Sequence, residues 1–306
     1  IINFRASIAK GCDEMGVFDF VRNLPNKLYI ALRIKKLEFH NLISKKSMLS
    51  ETGPTLSMTT YGIRFQTAHI SLEAIARGHV RPSRAVLFVD DEELYNQPTS
   101  GLKRLMKRGL EIQLVENFGP HTKYYPFLEL VEDFDRPHAT GDDDHIYPKW
   151  WLKGLSDSMQ QRPDCLHAYR AHCIRLNQEG TEALPYIEWG PGITTAPSNL
   201  NFYTSSMGEI YNPDFLRTAK QRGRAFLDCC PKNDDLWLTS LAIESDVPIA
   251  LVDGMNRTFP AIPASQQLTL EATNVFGGYN DVQIRDTFTE TILERLRQLE
   301  QEHGLR

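Results

Sequence analysis

The chain has 306 residues, 41% of them hydrophobic, enough to bury a sizeable core in one large domain or two small ones and to exclude a disordered chain. A net charge of -5 and an isoelectric point near 6.0 argue against a general nucleic-acid binder, whose phosphate contacts call for a basic face. The five cysteines are odd in number, dispersed and without zinc-ligand spacing, so a reducing compartment is expected rather than a disulfide scaffold or a zinc site.

The charge is unevenly spread. Residues 1–50 carry nine Lys and Arg against four acids, a net +5, which leaves -10 for the remainder of a chain of net -5. Within them, Leu28 to Phe39 threads apolar residues with cations. It reads either as a helical extension packed on the main domain or as a helix with a membrane-surface face. The Ser/Thr/Gly/Pro-rich stretch from Ser47 to Ser57 then marks a domain edge. The expected organisation is a basic arm over residues 1–50 and a single α/β domain over 51–306.

From Leu56 onward, short apolar runs alternate with amphipathic segments. The pattern predicts strands over Thr55–Thr60, Ala85–Val89, Leu110–Val115 and His138–Gly141, with helices over Phe65–Arg77, Gly101–Arg108, Tyr124–Val131 and Pro148–Gln160. Such βα alternation implies a mostly parallel, Rossmann-like sheet covered by helices on both faces, with ligands outside the carboxyl ends of the strands. The second half is less regular. Expected there are a strand over Cys165–Arg175, a polar loop over Asn177–Leu200, helices over Asp214–Gly223 and Asp234–Ser245, a strand over Pro248–Val252 and a closing helix from Asp286 to about His303.

Three consecutive carboxylates, Asp142, Asp143 and Asp144, follow the fourth predicted strand. Like charges side by side are costly unless a cation neutralises them, and an oxygen-seeking Mg²⁺ or Mn²⁺ is the natural partner, shared with substrate phosphates. A solvated turn is the alternative. Asp234 and Asp235 open a predicted helix, where one carboxylate could take a proton from an acceptor hydroxyl and where helix capping is the plainer role. Arg64, His121 and Lys123 follow strands one and three, which brings cations to the same rim. Arg170 and His172 alternate along one strand and so share a face, as a polar network or as contacts to a substrate. Trp189 and Trp237 are candidates for stacking on a sugar or simply for the core. Gly208, in an aromatic-rich stretch, would allow close approach, and Gly277-Gly278 would hinge Asn280 and Asp281 over a site or form a surface turn.

The order of these pieces resembles the DXD-containing GT-A glycosyltransferases of bacteria, related to the large inverting family-2 type, over roughly residues 55–282. The likeness implies that Thr59 to Arg64, including Thr60, enfolds the nucleotide; that Asp90 and Asp91 meet the nucleobase; and that Gly119 to Lys123 lies at the phosphates. It further implies Asp144 and Asp142 as metal ligands for Mn²⁺ or Mg²⁺, Asp143 as part of the donor site, and Asp234 or Asp235 as general base, with Asp234 slightly favoured. The glycine-rich acceptor turn of the family is matched only in part by Ser205-Ser206-Met207-Gly208.

The expected activity is transfer of a sugar from a UDP- or GDP-type donor to a glycan or lipid-linked glycan. Competing readings are a metal-dependent nucleotidyltransferase or phosphohydrolase and a non-catalytic carbohydrate-binding protein. A Walker-type loop is absent, and Thr60 to Arg64 offers one glycine and one cation where a nucleotidyltransferase would typically show a loop rich in both. No run approaches the ~18–20 apolar residues of a spanning helix, so the chain is expected in the cytoplasm. The basic residues 1–46 suit contact with the inner face of the plasma membrane, and the same arm or the last helix suits a homodimer.

Overall fold

A computed structural model describes residues 24–192, 196–265 and 278–305. In chain order the elements are α1 (Leu24–Ile43), β1 (Thr55–Thr60), α2 (Ala68–Ala76), β2 (Arg84–Val89), α3 (Glu92–Asn96), α4 (Ser100–Met106), β3 (Leu110–Leu114), α5 (Tyr125–Leu130), β4 (His138–Thr140) and α6 (Trp151–Gln161). There follow β5 (Leu166–Ala168), β6 (Ala171–Cys173), β7 (Gly190–Pro191), β8 (Asn201–Tyr203), β9 (Glu209–Tyr211), α7 (Pro213–Arg222), α8 (Phe226–Cys229), α9 (Asp234–Glu244), β10 (Ile249–Leu251), α10 (Tyr279–Thr287) and α11 (Glu290–Glu302).

Seven strands form one sheet in the order β10-β5-β9-β4-β1-β2-β3. All neighbours pair in parallel except β9, which runs antiparallel to both β4 and β5. The fold is therefore α/β and Rossmann-like, a mostly parallel sheet flanked by helices. Strand β2 shows why both faces need cover: Val86 and Phe88 enter one apolar cluster while Ala85, Leu87 and Val89 enter the other. The first cluster is closed by side chains of α5, α7, α9 and α11, the second by those of α1, α2, α4 and α6. Helix α1 packs on α2 and α4 through Ile30, Ile34 and Leu37.

Two expectations change. The strand predicted over Cys165–Arg175 is broken: β5 belongs to the main sheet and β6 to a second, three-stranded antiparallel sheet, β7-β6-β8. Between them Tyr169 is fully buried, its hydroxyl donating to the Trp151 carbonyl at 2.5 Å, which draws the chain out of the sheet. The closing helix is likewise two helices, α10 and α11, parted at Phe288 and Thr289, where the Thr289 hydroxyl caps α11 by accepting from the Ile292 amide. Among the described residues no helix is long and apolar enough to cross a membrane.

Candidate active site

Strands β1, β2 and β4 run parallel, so their carboxyl ends deliver loops to one rim. The acidic triplet follows β4 there in a tightly held turn. The Tyr147 hydroxyl accepts from the Asp142 amide at 2.8 Å, Ser71 Oγ lies 2.8 Å from the Asp143 carbonyl, and the Asp144 carbonyl accepts from the Ile262 amide at 2.7 Å. Asp143 and Asp144 are buried, Asp142 half-buried.

Charges of the opposite sign surround them. Arg64, in the 3-10 turn after β1, places one guanidinium nitrogen 3.3 Å from Asp143 and another 3.1 Å from Asp144. His145 Nδ1 lies 2.6 Å from Asp144 Oδ1. Burial pushes the Asp143 carboxyl up to about 7, against the pull of the Thr60 hydroxyl and the Arg64 guanidinium. Asp142, Asp144 and His145 each offer one ligand atom, all within 4.8 Å of one another. Two carboxylate oxygens and an imidazole nitrogen form a donor set that fits a divalent cation. His145 was not singled out from the sequence, although its adjacency to three acids was a signal.

Lys123 is the hub of the site. It ends the 3-10 turn after β3, is buried, and its ammonium lies 2.8 Å from Asp142, 3.4 Å from Asp234 and 2.6 Å from the Ser205 hydroxyl. Burial alone would lower its pKa, but Asp142, Asp234 and Glu209 raise it well above the usual lysine value, so it stays charged. The acidic pair thus stands next to the triplet, joined to it through one cation. Asn233 caps α9, its side chain accepting from the Leu236 amide at 2.9 Å, which sets Asp234 and Asp235 in the first helical turn. Asp235 Oδ1 accepts from the Ser205 amide at 3.1 Å, and desolvation together with the neighbouring Asp234 raises its pKa. Glu209 on β9 completes the group from below. It accepts from the Thr140 and Tyr211 hydroxyls, and burial raises its pKa well above the usual carboxylate value. Nothing in its sequence neighbourhood distinguished it, because its role depends on β9 being inserted between β4 and β5.

Other expected residues lie elsewhere. His121 is fully buried, stacked on Phe226 with centroids 4.0 Å apart and bonded to the Cys230 carbonyl at 2.8 Å. Burial lowers its pKa to about 4, so it is a neutral core histidine and not a cation facing phosphates. Trp189 and Trp237 are core residues. The Trp189 indole donates to the Leu184 carbonyl at 2.9 Å, and the Trp237 ring packs on Phe226. Arg170 falls in the break between β5 and β6, and His172 packs edge-on against Tyr186 in the small sheet, so the two do not share one continuous strand. A Cβ on Gly208 would meet the Trp151 indole at 2.4 Å, and its φ of 100° is left-handed; the glycine therefore serves close packing on Trp151.

Asp90 and Asp91 end β2 on the same rim, Asp91 capping α3 by accepting from the Leu94 amide at 3.0 Å. Asn280 accepts from the Asn233 side chain at 2.9 Å, which ties α10 to the start of α9, whereas Asp281 accepts from the Tyr186 amide at 2.8 Å and is structural. Gly278 is left-handed at the start of α10, and Gly277 lies outside the described residues.

No family model matches the sequence, and no curated protein does. Among solved structures, the chain is similar to 4-diphosphocytidyl-2C-methyl-D-erythritol synthase from Anaerococcus prevotii, at TM-score 0.45 and 11% identity over 76% of this chain and 99% of that one. It is also similar to CMP:2-keto-3-deoxy-manno-octonic acid synthetase complexed with CTP, at TM-score 0.42 and 12% identity over 70% and 95%. A third is S. aureus TarS 1–349 in complex with UDP, at TM-score 0.46 and 14% identity over 83% and 72%.

Proposed function

We propose that the protein is a metal-dependent glycosyltransferase of GT-A type that moves a sugar, with inversion, from a nucleotide-diphosphate donor to a glycan or lipid-linked glycan. The observation that carries this reading is the joining of two acidic groups by one buried cation: Lys123 reaches Asp142 at 2.8 Å and Asp234 at 3.4 Å. Glycosyl transfer calls for this pairing, one group to hold the cation of a departing diphosphate and a second carboxylate to take the acceptor proton. Asp142, Asp144 and His145 would hold the metal, and the imidazole in the set favours Mn²⁺ over Mg²⁺. When bound, the ion supplies positive charge to the leaving diphosphate. Arg64 and Lys123 would share that task from the protein side. Asp235 is the more basic of its pair, because burial and the neighbouring Asp234 raise its pKa to about 8, whereas Asp234 faces Lys123.

Thermal-shift measurements with UDP-, GDP-, CMP- and dTDP-sugars and with free CTP, each with and without Mn²⁺, test the reading. The expected result is an Mn²⁺-dependent rise in Tm with one sugar nucleotide, lost in Asp144→Ala. No rise with any sugar nucleotide, or a rise with CTP alone, overturns it.

A further inference from the structure

Helix α1 turns two faces in opposite directions. Its inner face buries Leu37 and Asn41 and half-buries Ile30, Arg33 and Ile34. On the outer face Leu28, Leu32, Phe39, Leu42 and Ile43 share one stripe at helical spacing, and all are more than half exposed, Leu42 at 63%. A stripe of this size on water is unfavourable, and α1, with charged residues along its length, is not apolar enough to cross a membrane.

What borders the stripe gives its partner. Lys27, Lys36, Lys45 and Lys46 are exposed around it and Lys35, three residues after Leu32 and four before Phe39, is exposed within it, whereas Glu38 is the one acid between residues 24 and 46, held 2.8 Å from Lys35. A second copy of the chain would bring these cations against their own kind, so charge complementarity favours an anionic surface. At the carboxyl end of α1 there is also a cavity of about 210 Å³ lined by His40, Lys46, Arg77, Arg108 and Lys149. Two of these lining residues are paired with the buried Glu73, Arg108 at 2.6 Å and His40 at 2.5 Å. Lys46, Arg77 and Lys149 remain as excess positive charge at the carboxyl end of the helix.

We infer that the outer face of α1 docks on the anionic phospholipids of a membrane leaflet, its apolar stripe entering the headgroup boundary while the basic cavity receives a lipid phosphate. An amphipathic helix with cations flanking an apolar face lies in the plane of such an interface, and attraction to anionic lipid adds to apolar burial. This surface is independent of the reaction proposed above.

The test is co-sedimentation of the full chain with vesicles of phosphatidylcholine alone or with about one-third phosphatidylglycerol, a composition rich enough in negative charge for polybasic attraction to register. Binding is expected to the anionic vesicles only and to weaken as salt rises. Leu32→Glu/Phe39→Glu, both at exposed positions, should weaken partitioning at least about tenfold with Tm unchanged, on the scale of ~0.8 kcal/mol for each CH₂ kept out of the interface. Lys46→Glu/Lys149→Glu should do so too, while Asp144→Ala should partition like the wild type. Equal binding to neutral vesicles, no binding to anionic ones, or partitioning unaffected by Leu32→Glu/Phe39→Glu would overturn the proposal. So would a dimer in sedimentation equilibrium that Leu32→Glu/Phe39→Glu dissolves while vesicles are ignored, because the stripe would then belong to a second copy.

Discussion

The triplet after β4 and the pair opening α9 are built from the same residue, yet the fold treats them differently. The three acids of the triplet have two cations within 3.3 Å, Lys123 for Asp142 and Arg64 shared by Asp143 and Asp144. The pair shares one, Lys123 at 3.4 Å from Asp234, and Asp235 relies on the Ser205 amide and the start of a helix. Lys123 and Arg64 offset the negative charge of the triplet, while burial still pushes Asp143 up to about 7. A carboxylate left with less compensation has its pKa raised and can exchange a proton. Partners, not residue type, divide the labour.

The largest effect that could break this comparison is on turnover. Asp235→Asn should lower kcat by about 10²–10⁴-fold, the usual range for loss of a general base, and leave the Mn²⁺-dependent donor shift intact. Asp142→Asn should abolish that shift as well. If Asp235→Asn also loses the donor shift, the two groups are one and the division of roles is wrong. Next comes Lys123→Met, which removes the cation both groups use. Leaving buried carboxylates uncompensated costs ~3–5 kcal/mol, so chemical denaturation should show a loss of that order at pH 7. A loss under about 1 kcal/mol, as for a surface pair, would mean that Lys123 does not join the clusters.

A smaller effect tests the turn that carries Ser205 to Lys123 and Asp235. Trp151 holds this turn by donating to the Met207 carbonyl at 2.8 Å, and Gly208 packs against the same indole. Gly208→Ala should cost about 1–3 kcal/mol through the left-handed backbone and the clash. It should also lower kcat and donor affinity together, since Asp235 accepts from the Ser205 amide and Lys123, the cation of Asp142, donates to the Ser205 hydroxyl. Lost stability with kcat and donor affinity unchanged would show that the turn supports only the core.

How far the sequence foretold this arrangement depended on whether local pattern or tertiary context decides. Strand β2 is a short apolar run between turn signals, β1 and β3 alternate apolar and polar residues, and the Thr55–Thr60 strand is found with the expected ends. The triplet was legible because three adjacent acids are costly wherever they sit. Neither the break at Tyr169 nor the insertion of β9 leaves such a mark: three-residue strands carry no period, and pairing across the sheet is set by distant residues. His121 and Trp189 show the same limit from the other side. A histidine or a tryptophan reads alike in a core and at a site until burial is known.

The root of the triplet provides the last test, a dependence on pH. His138 on β4 is fully buried, stacked on Phe127 at 3.8 Å and bonded to the Thr55 and Ser57 hydroxyls, both at 2.8 Å. Burial lowers its pKa to about 3. In the unfolded chain a histidine titrates near ~6.5, so below that pH the unfolded state takes up a proton that the native state refuses. The stability that depends on neutral His138 is therefore full above ~6.5 and declines as pH falls toward about 3, at up to ~1.4 kcal/mol per pH unit. His121, with its pKa near 4, acts in the same direction over a shorter range. His138→Asn will start from a lower Tm because it loses the stack on Phe127, so the informative quantity is the slope of Tm against pH between 6.5 and 4. That slope should flatten in the variant and retain the part owed to His121, to His69, His167 and His172, whose pKa values burial also lowers, and to the carboxylates. An unchanged slope would mean that β4 is not anchored by a neutral histidine, and the fixed position of the triplet that follows it would need another cause.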